Sequence, residues 1–143
     1  MITPPRPMRV LVVEDEPLIS SLYARALGKD KNITVETAKD KIDAVAKIEH
    51  FEPDIVFLDL MIPLGTHEFT ADYDHPAGFD VLETVKRNPH TKNAKVIVLS
   101  CLDGQQHKAH AESLGADAYV VKSEIDPHEL IERSRQMFAK QAR

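Results

Sequence analysis

The chain carries one cysteine, Cys101, among 143 residues, so no intrachain disulfide can form, and that usage suits a reducing cytosol. It has no apolar stretch approaching the ~20 residues a membrane-spanning helix needs, and its opening MITPPRPMRV lacks the apolar segment of a secretory signal. Positive charge is not in excess either. The 18 Lys+Arg stand against 23 Asp+Glu, a formal net of −5, which argues against a non-specific nucleic-acid surface and against an anchor to anionic membranes. Internal repeats, low-complexity tracts and signs of a second domain are also missing. These absences leave a soluble protein expected in the cytoplasm, with neither nucleic acid nor membrane as a direct partner.

What is present suffices for one ordinary domain. With 43% hydrophobic and 29% charged residues, a chain of this length buries roughly two-thirds of the surface its unfolded form exposes, without a disulfide or structural metal. Three prolines between Thr3 and Pro7 predict a flexible N-terminal arm over 1–7, and the domain itself is expected over 8–141.

From Met8 onward, short β-rich runs alternate with longer amphipathic ones. Strands are expected at Arg9–Val13, Ile33–Thr37, Asp54–Leu58, Lys95–Leu99 and Ala118–Val121. Helices are expected at Pro17–Lys29, Lys41–Phe51, Phe79–Arg87, Gln105–Leu114 and after Asp126–Pro127. In the first helix, Asp15 or Glu16 is the expected cap, and Leu18, Ile19, Leu22, Tyr23, Ala26 and Leu27 form a wide apolar stripe. The last helix offers Leu130, Ile131, Met137 and Phe138. Five strands alternating with five helices specify a doubly wound α/β sheet whose ligand site lies at the carboxyl ends of the strands.

Polar residues stand at four of those ends: Glu14, Asp15 and Glu16 after the first strand, Asp59 after the third, Ser100 after the fourth and Lys122 after the fifth. Carboxylates gathered at a sheet mouth repel one another unless a cation joins them, and an all-oxygen set suits Mg²⁺. With a lysine and a hydroxyl added, the ensemble is what phosphoryl transfer to an aspartate requires: a carboxylate nucleophile, charge neutralisation of the moving oxygens, and oriented donors. Taken singly, each residue has a plainer reading, as a helix cap, a loop hydroxyl or a surface lysine. The joint pattern carries the inference.

The segments VLVVEDEP at 10–17, IVFLDLMIP at 55–63, VIVLS at 96–100 and GADAYVVK at 115–122 resemble the receiver domain of two-component response regulators, over nearly the whole chain. The resemblance implies a flavodoxin-like, CheY-like five-stranded parallel sheet of order 2-1-3-4-5 flanked by five helices. It also implies that Asp59 accepts the phosphoryl group, that Glu14 and Asp15 hold Mg²⁺ together with Asp59 and the backbone carbonyl of Met61, and that Lys122 pairs with phosphoryl oxygens. Ser100 would be the switching hydroxyl and Tyr119 the aromatic that moves with it. The implied partners are a histidine kinase or histidine phosphotransfer protein, a downstream protein target, and a second copy of the chain in a phosphorylation-dependent homodimer. Few residues follow Phe138, so the output is expected to be a protein contact, and the only catalysis expected is the domain's own phosphorylation and dephosphorylation.

The spacings agree with the resemblance at two places and depart at a third. Asp15 and Asp59 are 44 positions apart and Ser100 and Lys122 are 22 apart, both typical of receivers, whereas Asp59 and Ser100 are 41 apart. The surplus falls in an inserted loop at about 64–77, beside the acceptor. His67, Glu68, Asp72, Asp74 and His75 could supply a second metal site there, although an ordinary polar surface loop explains them better, and Phe69 and Tyr73 are expected to pin the loop. Ser123 replaces the family's usual proline after the lysine, and the acidic pair is Glu-Asp instead of Asp-Asp. Met61 and Leu102, which by resemblance flank the attacking water, are both apolar, so a long-lived phosphoryl group is expected.

Two other readings compete. In one the chain is a receiver-like interaction module that works without phosphorylation. In the other it is a small phosphatase of the haloacid-dehalogenase type, which would need an acid-base aspartate two positions after the nucleophile, where this chain has Met61.

Overall fold

A computed structural model describes residues 6–65, 76–100, 105–122 and 126–141. The strands are β1 (Met8–Val13), β2 (Ile33–Ala38), β3 (Ile55–Asp59), β4 (Lys95–Ser100) and β5 (Ala118–Val121). The helices are α1 (Pro17–Gly28), α2 (Lys41–Phe51), α3 (Gly78–Arg87), α4 (Gln105–Ser113) and α5 (Pro127–Gln141). All strand pairings are parallel, in the order β2-β1-β3-β4-β5.

The apolar run Ile55–Leu58 is buried throughout because β3 is central and covered on both faces. Successive side chains along a strand point to opposite faces, so the sheet has two cores. Leu11, Val13, Val56, Leu58, Val96 and Val98 face α2, α3 and α4, where they meet Ala44, Ile48, Val81, Leu82, Val85 and Ala111. Val10, Val12, Ile55, Phe57, Ile97 and Leu99 face α1 and α5, where they meet Tyr23, Leu27, Leu130 and Ile131. Tyr23 lies against Phe57 with ring centroids 5.7 Å apart.

Several element ends move by one residue, with β1, β2 and β4 each one longer than expected, and two local expectations change in substance. The α1 stripe is narrower than its composition suggests: Tyr23 and Leu27 are buried, Ile19 and Ala26 pack partly, but Leu18 is 86% and Leu22 48% exposed. One residue back from Ile19 and Tyr23 is about 100° around the helix, which turns Leu18 and Leu22 away from the sheet. Strand β3 is shifted by one residue, from Asp54–Leu58 to Ile55–Asp59. Asp54 works instead as an acceptor at the strand's edge, taking the Arg9 N–H at 2.8 Å and both guanidinium nitrogens of Arg6 at 2.8 and 2.5 Å. Arg6, within the proline-rich arm, is thereby tied to the domain.

The caps follow local chemistry. Pro17 occupies the first turn of α1 behind Glu16, whose side chain makes no capping bond. Asp40 caps α2 by accepting the Asp43 N–H at 2.7 Å, and Asp126 accepts the His128 N–H at 2.8 Å at the start of α5. The first free donors of α2 are met from another element: Lys41 N–H donates to the Pro63 carbonyl at 2.9 Å and Ile42 N–H to the Leu64 carbonyl at 3.3 Å. The chain that leaves β3 is therefore moored to α2 before residue 66. Most of the insertion, including His67, Glu68, Phe69, Asp72, Tyr73, Asp74 and His75, lies outside the described residues, as do Leu102 and Ser123 and the side chains of Met137 and Phe138. No helix among the described residues is long and apolar enough to cross a membrane.

Candidate functional site

The parallel register determines which residues meet. Val13 is the partner of Leu58, so Glu14 comes level with Asp59, and Asp59 is the partner of Leu99. Ser100 is the partner of Val121, which leaves Lys122 one position further on. Four strands thus bring their carboxyl ends to one mouth.

There Glu14, Asp15 and Asp59 each present a carboxylate oxygen within 4.8 Å of the others, with Glu14 and Asp59 buried and Asp15 exposed. Lys122 Nζ donates to Glu14 Oε2 at 2.8 Å and to Asp59 Oδ2 at 3.1 Å. The second oxygen of each buried carboxylate accepts a main-chain donor: Met61 N–H reaches Asp59 Oδ1 at 3.0 Å, and Glu16 N–H reaches Glu14 Oε1 at 3.4 Å. Ser100 is fully buried at the end of β4. Tyr119 is half-buried on β5, beside Val98, and packs against the core under α3 and α4.

The electrostatics are under tension. Burial raises the Glu14 carboxyl above its ordinary value, with repulsion from Asp59 adding to the rise and Lys122 opposing it. Burial likewise raises Asp15, helped by the charges of Asp59 and Glu16. For Lys122, burial disfavours the ammonium, but its hydrogen bond to Glu14 and the charges of Asp59 and Glu14 outweigh that and raise it. Three carboxylates against one ammonium leave uncompensated negative charge on hard oxygen donors. That donor set fits a hard divalent cation and does not fit a soft metal.

A groove of about 720 Å³ opens beside the cluster, bordered by Glu14 and Asp15, by Pro17 and Ser20 of α1, by Asp40, and by Gly65. Two of the three carboxylates, those of Glu14 and Asp15, thus border it. On the other side, α3 presses on the end of β3. Gly78 N–H donates to the Leu60 carbonyl at 3.0 Å, and a Cβ on Gly78 would lie 2.5 Å from Leu60 Cα and 2.8 Å from the Asp59 carbonyl oxygen. Only glycine permits that approach.

Every described residue expected at the site is at the same sheet mouth, except Tyr119, which lies behind it in the core. Two features had no signal in the residue pattern. One is the use of Met61's N–H on the Asp59 side chain. The other is a contact between Phe79 of α3 and two histidines of α4, His107 and His110.

Comparison with known proteins agrees with this construction. Protein PilG of Pseudomonas aeruginosa is 33% identical over 115 residues, covering 80% of this chain and 76% of PilG. The chemotaxis protein CheY of Treponema pallidum is 31% identical over 129 residues, covering 89% of this chain and 80% of that protein. The DNA-binding regulator RpaA of Synechocystis is 31% identical over 127 residues, and there the match spans only 47% of the relative's length. Among solved structures, a CheY-like receiver domain protein from Methanospirillum hungatei superimposes with a TM-score of 0.77 over 95% of this chain and 97% of its own, at 24% identity, a likeness of fold. The family model described as the response regulator receiver domain matches residues 10–135. By that match and these relatives, the chain belongs to the response regulator receiver domain family.

Proposed function

We propose that this receiver accepts a phosphoryl group on Asp59, in the presence of Mg²⁺, from a histidine kinase or a histidine phosphotransfer protein, and passes the signal on through a phosphorylation-dependent protein contact. The observation that carries the reading is the meeting of Glu14, Asp15 and Asp59 within 4.8 Å with Lys122 lodged between the two buried carboxylates. The residues that would hold the cation are Glu14, Asp15, Asp59 and the carbonyl of Met61. When bound, Mg²⁺ offsets the charge of the carboxylates and of the phosphoryl oxygens.

In the transfer, a carboxylate oxygen of Asp59 forms a bond to phosphorus as the P–N bond to the donor imidazole breaks; the electron pair of that bond stays on the departing nitrogen, and with a proton already on its other ring nitrogen the donor leaves as neutral imidazole. Met61 N–H fixes the Asp59 carboxylate at Oδ1, which limits its rotation at the moment of attack. Lys122 stands at 3.1 Å from Oδ2 and supplies positive charge where the phosphoryl oxygens arrive. Ser100 and Tyr119 are the proposed responders, the hydroxyl turning toward the phosphoryl group and the ring following it. The domain turns over no external substrate and acts in the cytoplasm, its output a downstream protein or a second copy of itself.

Intact mass tests the reading. Wild type incubated with Mg²⁺ and acetyl phosphate should gain about 80 Da, whereas Asp59→Ala, or wild type with EDTA, should not. No gain in wild type, repeated with a phosphohistidine donor protein, would leave a receiver that signals without phosphorylation.

A further inference from the structure

Phe79 is buried although it stands in the first turn of α3, near the rim of the sheet. Two imidazoles of α4 meet its ring. The ring of His107 stacks on it with centroids 5.9 Å apart and planes 19° apart, and His110 meets it edge-on at 4.5 Å and 73°. On its other side, Phe79 follows Gly78, the residue whose backbone lies against Leu60 and the Asp59 carbonyl and whose N–H holds the Leu60 carbonyl. One peptide link therefore separates the strand end that bears Asp59 from the side chain that touches α4.

The two ends of this link differ in stiffness. The contact between Gly78 and Leu60 is backbone against backbone, close-packed and hydrogen-bonded, so a shift of Leu60 carries Gly78 with it. Helix α4 is lightly held: among Gln105–Ser113 only Ala111 is buried, with Leu114 beyond it adding partial cover. An element with so little buried surface sits at the low-stability end of a fold and moves at small cost.

We infer that Phe79 is a positioning residue through which a change at Asp59 sets the placement of α4, a route that rests on the phosphoacceptor reading and uses side chains other than Ser100 and Tyr119. Phe79, Ala111 and Tyr119 border one continuous core cluster, so the two routes converge on the same helix from different strands. The imidazoles make the contact readable, because a small slide of α4 changes how each ring sits over Phe79.

The test uses the full chain, with loading of Asp59 by acetyl phosphate and Mg²⁺ first read by mass in wild type and in Phe79→Leu. NMR then follows the imidazole signals of His107 and His110 and the α4 amides before and after loading. In wild type both imidazoles and the α4 amides should shift. In Phe79→Leu, loading should be unchanged while the α4 amide response falls by at least half. A His107→Ala/His110→Ala variant should show the same fall, and adding Phe79→Leu to it should bring no further loss. A wild-type α4 response in Phe79→Leu, or imidazoles that ignore loading in wild type, would overturn the inference. Absence of the mass gain in wild type would overturn the phosphoacceptor reading and this route with it.

Discussion

Lys122 Nζ lies 2.8 Å from Glu14 Oε2, a contact made across 108 residues of sequence, and the same ammonium reaches Asp59. The lysine therefore serves as the counter-ion of two buried carboxylates. The arrangement is poised, because the cation that stabilises the resting site is also the one the transferred group would engage.

Removing that cation should expose the repulsion it masks. For a fully buried pair the loss of one partner costs about 3–5 kcal/mol. With the Lys122 side chain 26% exposed, solvent screening lowers the expectation for Lys122→Met to about 1–3 kcal/mol at neutral pH. Urea unfolding in EDTA measures it, and millimolar Mg²⁺ should restore part of the loss. A variant as stable as wild type in EDTA would contradict this account of the site.

The raised carboxyls of Glu14 and Asp15 give the site a pH signature. Each keeps its proton to higher pH in the folded chain than in the unfolded one. Their contribution to stability is complete below the ordinary values of 4.5 and 3.8 and is lost as pH rises through the raised ones. A divalent cation needs the deprotonated forms, so it opposes that loss. The rise in melting temperature on adding Mg²⁺ should grow with pH across this window, from near zero in acid to a plateau near neutrality. Melting curves in Mg²⁺ and in EDTA from pH 4 to 7.5 decide it; a shift independent of pH speaks against these ligands.

Gly78→Ala should be costly for steric reasons alone. The added Cβ meets the Leu60 Cα at 2.5 Å and two carbonyl oxygens at 2.8 and 2.9 Å, all of them backbone atoms that cannot rotate aside. Overpacking of this kind costs about 1–3 kcal/mol. Because Leu60 adjoins Asp59, phosphorylation by acetyl phosphate should also slow. Chemical denaturation checks the first effect and a mass time course the second; a stability loss within experimental error would show that α3 can draw back freely.

If Asp59 accepts the phosphoryl group as proposed, Met61 bears on how long that group persists. Its backbone is anchored by the N–H donated to Asp59, and a thioether cannot orient an attacking water. Met61→Asn should shorten the lifetime of the acyl phosphate several-fold while leaving its formation intact. Decay of the phosphorylated mass after desalting provides the measurement, and equal lifetimes would remove Met61 from the account. The companion expectation for Leu102 falls outside the described residues.

Much of the fold could be read from the chain because local pattern and global topology agree in it. The buried run at 55–58 has the continuous apolar character of a parallel strand, Pro17 and Asp126 mark helix starts, and parallel topology brings Glu14, Asp59, Ser100 and Lys122 to one edge. What could not be read depends on tertiary context. Leu18 and Leu22 are as apolar as Tyr23 and Leu27, and only the seating of α1 on the sheet decides which pair is buried. Asp54 looks like the first residue of a strand until Arg6 and Arg9 claim its carboxylate. The pairing of Phe79 with His107 and His110 joins residues whose spacing carries no periodic signal, since it spans two helices and a strand.

The segment that lengthens this receiver has two firmly planted feet. On one side the Pro63 and Leu64 carbonyls are bound by the opening amides of α2, and on the other Gly78 is bonded to Leu60. Mechanically these are clamps, and a clamp isolates what lies beyond it. Substituting, shortening or extending the stretch between Gly65 and Pro76 should leave Asp59 in register, so this position is a natural socket into which new recognition sequences can be grafted beside the acidic cluster.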